Sequence, residues 1–101
     1  MAIESDFSEG EKKLTIQIKG RFDFGSHQAF REAYERSPGK ADSVVVDLKE
    51  TTYLDSSALG MLLLLRDHEG GEESRISLVN TSPDVQKILA ISNFQKLFDI
   101  N

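Results

Sequence analysis

The alternation of apolar and polar residues predicts a sheet that begins with two strands. Residues 14–20 alternate strictly, which is typical of a strand with one buried face. Residues 3–7 form a weaker strand candidate, and the polar residues 8–11 between the two segments are typical of a turn. We therefore expect these segments to pair as an antiparallel hairpin at one side of the sheet.

Three later segments have the three- and four-residue spacing of apolar positions that indicates a helix. Their predicted bounds are 26–36, 56–68 and 82–92. Ser26 is the predicted cap of the first helix, which Ser-Pro-Gly at 37–39 would stop. Ser82 is the predicted cap of the third, with Pro83 in its first turn.

Two short apolar segments, 44–48 and 75–79, precede the second and third helices and are typical of buried strands. Residues 49–52 between the first of these strands and the Tyr53–Gly60 signature form a polar connector, and Asn93 is the predicted left-handed terminator of the third helix. Residues 94–100 form a last strand or a packed tail. The order predicts one α/β domain over 1–101, with a mixed, mostly parallel sheet of four or five strands covered by three or four helices.

Composition narrows the function classes. The chain has 101 residues and a formal net charge of -5, so it lacks the basic surface that nucleic-acid binding needs. It has no cysteine, which excludes disulfides and thiol chemistry. The acidic N-terminus is unlike a signal peptide, and the longest apolar run is far shorter than a membrane span. We expect a soluble, cytoplasmic protein that does not bind membranes.

The most informative position is Ser56, where a buried strand and connector lead into the second helix. Asp55 and Ser56 lie at the start of that helix, near the carboxyl edge of the predicted sheet, where α/β proteins tend to place their sites. A helix N-terminus offers unpaired amides and a partial positive charge, which suits a phosphate. Taken alone, the pair favours a simple helix cap, because most helices begin with such residues.

Three stretches of the chain resemble the STAS domain of bacterial anti-sigma factor antagonists (anti-anti-sigma factors). They are Gly-Arg-Phe-Asp at 20–23, Val-Val-Asp-Leu at 45–48 followed by Tyr-Leu-Asp-Ser-Ser-Ala-Leu-Gly at 53–60, and the apolar segment 85–98. Ala58 and Asn93 stand where this family commonly has glycine.

The resemblance implies a phosphorylation switch without catalysis or a cofactor. It implies that Ser56 is phosphorylated by a serine kinase that is itself the anti-sigma factor, with Ser57 the less favoured acceptor, and that a serine phosphatase reverses the modification. The unphosphorylated form would bind the anti-sigma factor and free sigma, as a monomer or weak dimer. Asp23, Asp55 and the start of the helix, Ser57 and Ala58 included, would contribute to the binding surface.

The apolar second helix predicts a docking surface beside Ser56. Leu59, Leu62 and Leu63 can face the sheet together, whereas Met61 and Leu64 project from the other side. Either a neighbouring helix covers these two residues or they form an exposed patch that contacts the partner. We expect an aspartate at either position to weaken partner binding while the circular dichroism stays unchanged.

Other chemistry is less well supported. His27 and His68 are isolated in polar segments without metal-ligand spacing, and Leu54 and Ala58 replace the glycines of a hydrolase G-x-S-x-G motif. Asp47 would suit a phospho-aspartyl receiver domain, but the first two strands do not end in an acidic pair, and it more simply caps the connector. The alternatives are therefore such a receiver, or a STAS interaction module without a phosphoswitch.

Overall fold

The computed structural model describes residues 2–35 and 41–101. Its strands are β1 (Ala2–Ser8), β2 (Lys13–Phe22), β3 (Ser43–Asp47), β4 (Thr51–Leu54), β5 (Ile76–Val79) and β6 (Asp99–Ile100). Its α-helices are α1 (His27–Glu35), α2 (Ser56–His68) and α3 (Pro83–Ile91), with short 3-10 turns at Phe24–Ser26, Gly71–Glu73 and Phe94–Lys96. The predicted stop of the first helix at 36–39 lies outside the described residues.

The strands form one sheet in the order β1-β2-β3-β5-β6, with β4 paired to β2. β1 is antiparallel to β2, and the remaining pairs are parallel. The sheet confirms the predicted antiparallel start and mostly parallel α/β architecture. Successive parallel strands need helical crossovers, which α1, α2 and α3 supply.

One face of the sheet forms the core. Leu14, Val44 and Ile76 lie side by side across β2, β3 and β5, and all three are buried. The buried residues of all three helices belong to the same apolar cluster. On the opposite face Thr15 and Ser77 are only partly buried. The helices therefore cover one side of the sheet, and because each follows a parallel strand, their N-termini lie along its carboxyl edge.

The segment before α2 differs from its prediction. Residues 49–52 are predicted as a connector, but the strand Thr51–Leu54 pairs in parallel with the end of β2 and sets Leu54 opposite Phe22. Thr51 is buried, and its hydroxyl donates to the Ile18 carbonyl at 2.8 Å. This hydrogen bond satisfies the buried hydroxyl, so the β-branched Thr51 can lie inside the fold as part of a short strand. β4 thereby fixes the start of α2 against β2.

The prediction that Ser26 caps the first helix is wrong. The 3-10 turn Phe24–Ser26 precedes α1, and the Oδ1 atom of Asp23 accepts the Gly25 N–H at 3.0 Å. Ser26 is buried, and its Oγ accepts the Asp23 N–H at 3.2 Å. This reciprocal arrangement is a capping box, so the cap lies three residues before the predicted one.

The other two helices start as predicted. α2 spans Ser56–His68, and in α3 the Ser82 hydroxyl accepts the Val85 N–H at 3.2 Å. Asn93 has a φ of 58°, the left-handed conformation predicted for it, although α3 ends two residues earlier. The last residues form both a 3-10 turn and the short strand β6.

Candidate functional site

Asp55 joins the end of β2 to the start of α2. Its backbone N–H donates to the Phe22 carbonyl at 3.3 Å, which continues the β2–β4 pairing. Its Oδ1 atom accepts the Ala58 N–H at 2.9 Å and caps the helix. Its Oδ2 atom accepts the Phe24 N–H at 3.3 Å. Both carboxylate oxygens are therefore bonded within the fold, one to each of two segments that meet at this edge.

Ser56 is the first residue of α2 and is exposed, whereas Ser57 is partly buried. Among the described residues, no hydrogen-bond partner holds the Ser56 hydroxyl. Because Asp55 supplies the cap, the helix does not need this hydroxyl for its own start. Ser56 thus presents a free nucleophilic oxygen at a helix N-terminus, where an added negative charge is favoured by about 0.3–1 kcal/mol.

Asp23 and Arg21 lie beside this start. Asp23 is the residue before Phe24, whose N–H bonds to Asp55, so the structure places Asp23 next to the Asp55 contact rather than in it. The Nε atom of Arg21 lies 3.5 Å from Asp23 Oδ2. Its Cζ atom lies 4.4 Å from the centre of the Tyr53 ring, a cation–π contact. These contacts bring a cation to the edge where Ser56 is exposed.

Exposed apolar side chains flank the same edge. Phe24 is 73% exposed, and Leu64 on α2 is 51% exposed. We give the name α2 outer stripe to four exposed residues of this helix, Ser56, Gly60, Leu63 and Leu64. The expectation that Leu63 faces the sheet is wrong, because it is 39% exposed while Leu62 is fully buried.

Two residues predicted to face a partner are instead in the core. Met61 is 3% exposed and Ala58 is fully buried. α1 packs beside α2 on the side that carries Met61, and a groove of about 360 Å³ between them is lined by Met61, Leu64 and Tyr34 among others. Of the predicted pair, Leu64 alone keeps an exposed surface, since it lines the groove but remains half exposed.

Gly60 lies in the α2 outer stripe, one turn after Ser56. A Cβ atom added there would meet no atom within 4 Å beyond its own helix. Glycine inside a helix costs about 0.5–1 kcal/mol relative to alanine, so the fold gains nothing from its absent side chain. The packing of the described residues therefore does not explain why this exposed position beside Ser56 is a glycine.

The sequence analysis missed Arg21 and Phe24 as candidates. Both lie between the predicted strand that ends at residue 20 and the predicted helix that begins at residue 26. A large aromatic residue between aspartate and glycine in a predicted turn is a usable signal, since such a side chain has few ways to become buried. No comparable signal marks Arg21, because its role depends on the β2–β4 register that brings Tyr53 opposite it.

The remaining titratable candidates have structural partners. Asp47 Oδ1 accepts the Lys49 N–H at 2.9 Å, which confirms the predicted connector cap, and it also accepts the Asn80 amide at 3.0 Å. His68 Nδ1 lies 3.0 Å from Glu69 Oε2. In the described part of the chain, no group of His, Asp and Glu side chains is arranged to hold a metal ion. No helix in residues 2–35 and 41–101 has the length and apolar character to cross a bilayer.

Comparison with known proteins gives matches over almost the whole chain. The family model described as "Mlab, STAS domain" matches residues 5–99. A STAS-domain containing protein of Pseudomonas aeruginosa (strain UCBPP-PA14) is 64% identical over 101 residues, which is all of both chains.

Solved structures of low sequence identity share the fold. An anti-sigma factor antagonist from Mycobacterium paratuberculosis superposes with a TM-score of 0.74 at 19% identity, over 98% of this chain and 85% of that one. The unphosphorylated form of the anti-sigma factor antagonist SpoIIAA superposes at 0.70 and 16% identity, over 99% and 87% of the two chains. The phosphorylated form of the Bacillus protein SpoIIAA superposes at 0.68 and 17% identity, over 99% and 91%.

Proposed function

This chain belongs to the STAS domain family, and from that premise we propose that it is an anti-sigma factor antagonist controlled by phosphorylation of Ser56. In this proposal the unphosphorylated protein binds an anti-sigma factor and so frees a sigma factor. The chain performs no catalysis of its own. The observation that carries the proposal is the exposed, unpartnered hydroxyl of Ser56 at the start of a helix already capped by Asp55.

The modification is a phosphoryl transfer made by a partner kinase. The γ-phosphoryl group of a nucleoside triphosphate passes to Ser56 Oγ, the hydroxyl proton is lost, and the nucleoside diphosphate leaves. A serine phosphatase restores the hydroxyl by adding water across the phosphorus–oxygen bond and releasing inorganic phosphate. Each cycle adds and removes about 1.5 to 2 negative charges at pH 7.

The phosphate acts on binding much more than on folding. Ser56 is exposed and its hydroxyl bonds to no described residue, so the modification breaks no contact of the fold. A partner that packed against Phe24 and Leu64 would have to strip water from a dianion beside them. That desolvation costs several kcal/mol unless the partner supplies a matching cation, which is enough to turn binding off.

The direct test is binding by Ser56 variants. We expect Ser56→Ala bait to retain an anti-sigma factor from native lysate, and Ser56→Asp bait to bind it at least tenfold more weakly. Ser5→Asp is the matched control, because it adds the same charge at an exposed serine on the edge strand β1. The anti-sigma factor is identified by mass spectrometry, and its affinity for each variant is measured by calorimetry with the purified partner.

Two results would contradict the switch. Equal affinity of the Ser56→Ala and Ser56→Asp proteins would leave a STAS interaction module without phosphorylation control. Loss of binding in Ser5→Asp as well would show a general effect of charge. A phosphoryl group that is stable to both acid and hydroxylamine is the expected phosphoserine. A group that hydroxylamine removes would indicate an acyl phosphate and favour the receiver alternative at Asp47.

A further inference from the structure

The guanidinium group of Arg21 makes few contacts with the described residues. Its Nε atom makes a single contact of 3.5 Å to Asp23 Oδ2, at the long limit for a hydrogen bond, and its side chain is 64% exposed. Within the described residues no acceptor bonds to its two terminal nitrogens. A guanidinium group has five donors in a planar fork, so most of this donor set is free.

The strand register places Arg21 near the start of α2. Arg21 pairs with Tyr53 in the β2–β4 register, and Ser56 follows Tyr53 by three residues, at most about 10 Å of extended chain. The contact to Asp23, the first residue after β2, shows that the side chain leans toward the carboxyl end of this strand. The Tyr53 ring, 4.4 Å from Cζ, supports the guanidinium from one side.

The nearby carboxylates are already bonded to backbone amides. Asp23 Oδ1 accepts the Gly25 N–H, and both oxygens of Asp55 accept N–H groups. A phosphoryl group on Ser56 carries more charge than Asp23 and three strong acceptor oxygens, so it competes well for a guanidinium held by one long contact.

We propose that Arg21 is a positioning residue for the phosphoryl group of phosphorylated Ser56, exchanging its contact to Asp23 for the phosphate while it remains stacked on Tyr53. This inference rests on the proposed function, since it concerns the modified form. Arg21 favours the dianionic state of the phosphate and fixes its orientation at the start of α2. Asp23 and Asp55 oppose this effect, and Arg21 offsets them.

The test installs phosphoserine at position 56 during translation, so that it needs no kinase. We expect phosphorus NMR to show that Arg21→Gln raises the pH midpoint of the phosphate titration by about 0.5 pH unit, because the lost cation favoured the dianion. Arg75→Gln is the matched control, since it removes the same charge from an exposed residue at the opposite, amino end of β5. Its phosphate midpoint should stay with that of the parent.

A second measurement needs no change at Arg21. Nitrogen–proton spectra of the proteins with serine and with phosphoserine at position 56 should differ at the Arg21 Nε–H. The inference is overturned if that resonance stays in place, if Arg21→Gln titrates with the parent, or if Arg75→Gln shifts the midpoint equally. Absence of phosphoserine from cells would instead contradict the proposed function and leave these measurements valid.

Discussion

Asp55 is the residue that separates the folding role of this site from its proposed signalling role. Aspartate at a helix start is commonly only a cap, and here its Oδ1 atom does cap α2. Its second oxygen bonds to Phe24 N–H in the turn after β2, which the sequence alone does not indicate. Because the Asp55 side chain makes both of these hydrogen bonds, the start of α2 does not depend on the hydroxyl of Ser56.

Substitution of Asp55 should separate its two hydrogen bonds. We expect Asp55→Ala to lower the free energy of unfolding by about 2 kcal/mol, the sum of a lost cap and a lost second hydrogen bond. Asp55→Asn keeps an oxygen that can cap Ala58 but loses the acceptor for Phe24, so about half of that loss is expected. Urea denaturation measures both, and equal losses in the two variants would contradict the two-bond description.

At the scale of the element, α2 divides its apolar residues between core and surface. Its side toward α1 and the sheet buries Ala58, Met61, Leu62 and Leu65, whereas Leu63 and Leu64 remain exposed. Helical periodicity alone finds the helix but not this division, since a run of five apolar residues has apolar side chains on every side. The packing of α1 beside α2 determines which of them are covered.

Aspartate substitutions in α2 should therefore give two different results. We expect Leu64→Asp to weaken anti-sigma factor binding at least tenfold with unchanged circular dichroism, because an exposed side chain changes only the docking surface. Met61→Asp should lose the folded spectrum, because burying a carboxylate costs several kcal/mol out of a total stability of about 5–15 kcal/mol. A folded Met61→Asp protein would contradict the burial of this residue.

Gly60 gives a third test on the same helix. We expect Gly60→Ala to raise the free energy of unfolding by about 0.5–1 kcal/mol, because alanine favours the helix and its methyl group meets open space. The same methyl group stands in the surface next to Ser56 and should weaken partner binding. Urea denaturation and calorimetry on one preparation measure both effects, and unchanged affinity would remove Gly60 from the docking surface.

At the scale of the whole molecule, the sequence predicts the order of elements better than their contacts. The hairpin, the start of α2 at Ser56 and the cap of α3 at Ser82 follow from local patterns, and the structure confirms them. The strand at Thr51 was missed because it depends on a hydrogen bond to the distant strand β2, and the cap at Asp23 was missed because a 3-10 turn precedes α1. The same holds for the candidate site, since the sequence predicts the position of Ser56 but not the residues that surround it.

The one-sided sheet predicts a gradient of protection across the molecule. β3 lies between β2 and β5, whereas β1 and β6 are the outermost strands of the described sheet. We expect native-state hydrogen exchange to be slowest at the amides of β3 and faster along β1, because central strands open only with global unfolding. Equal protection in β1 and β3 would show that the outer strand is covered in solution.

The open space at Gly60 sets the thermal stability of this chain against its binding to other proteins. A laboratory evolution campaign that selects only for thermal stability should accept a methyl group there early, since no described residue beyond the helix itself lies within 4 Å of it. Under the proposed function, the selected variants would be more stable and would bind their partner more weakly. A campaign that also scores the freed sigma factor should keep the glycine.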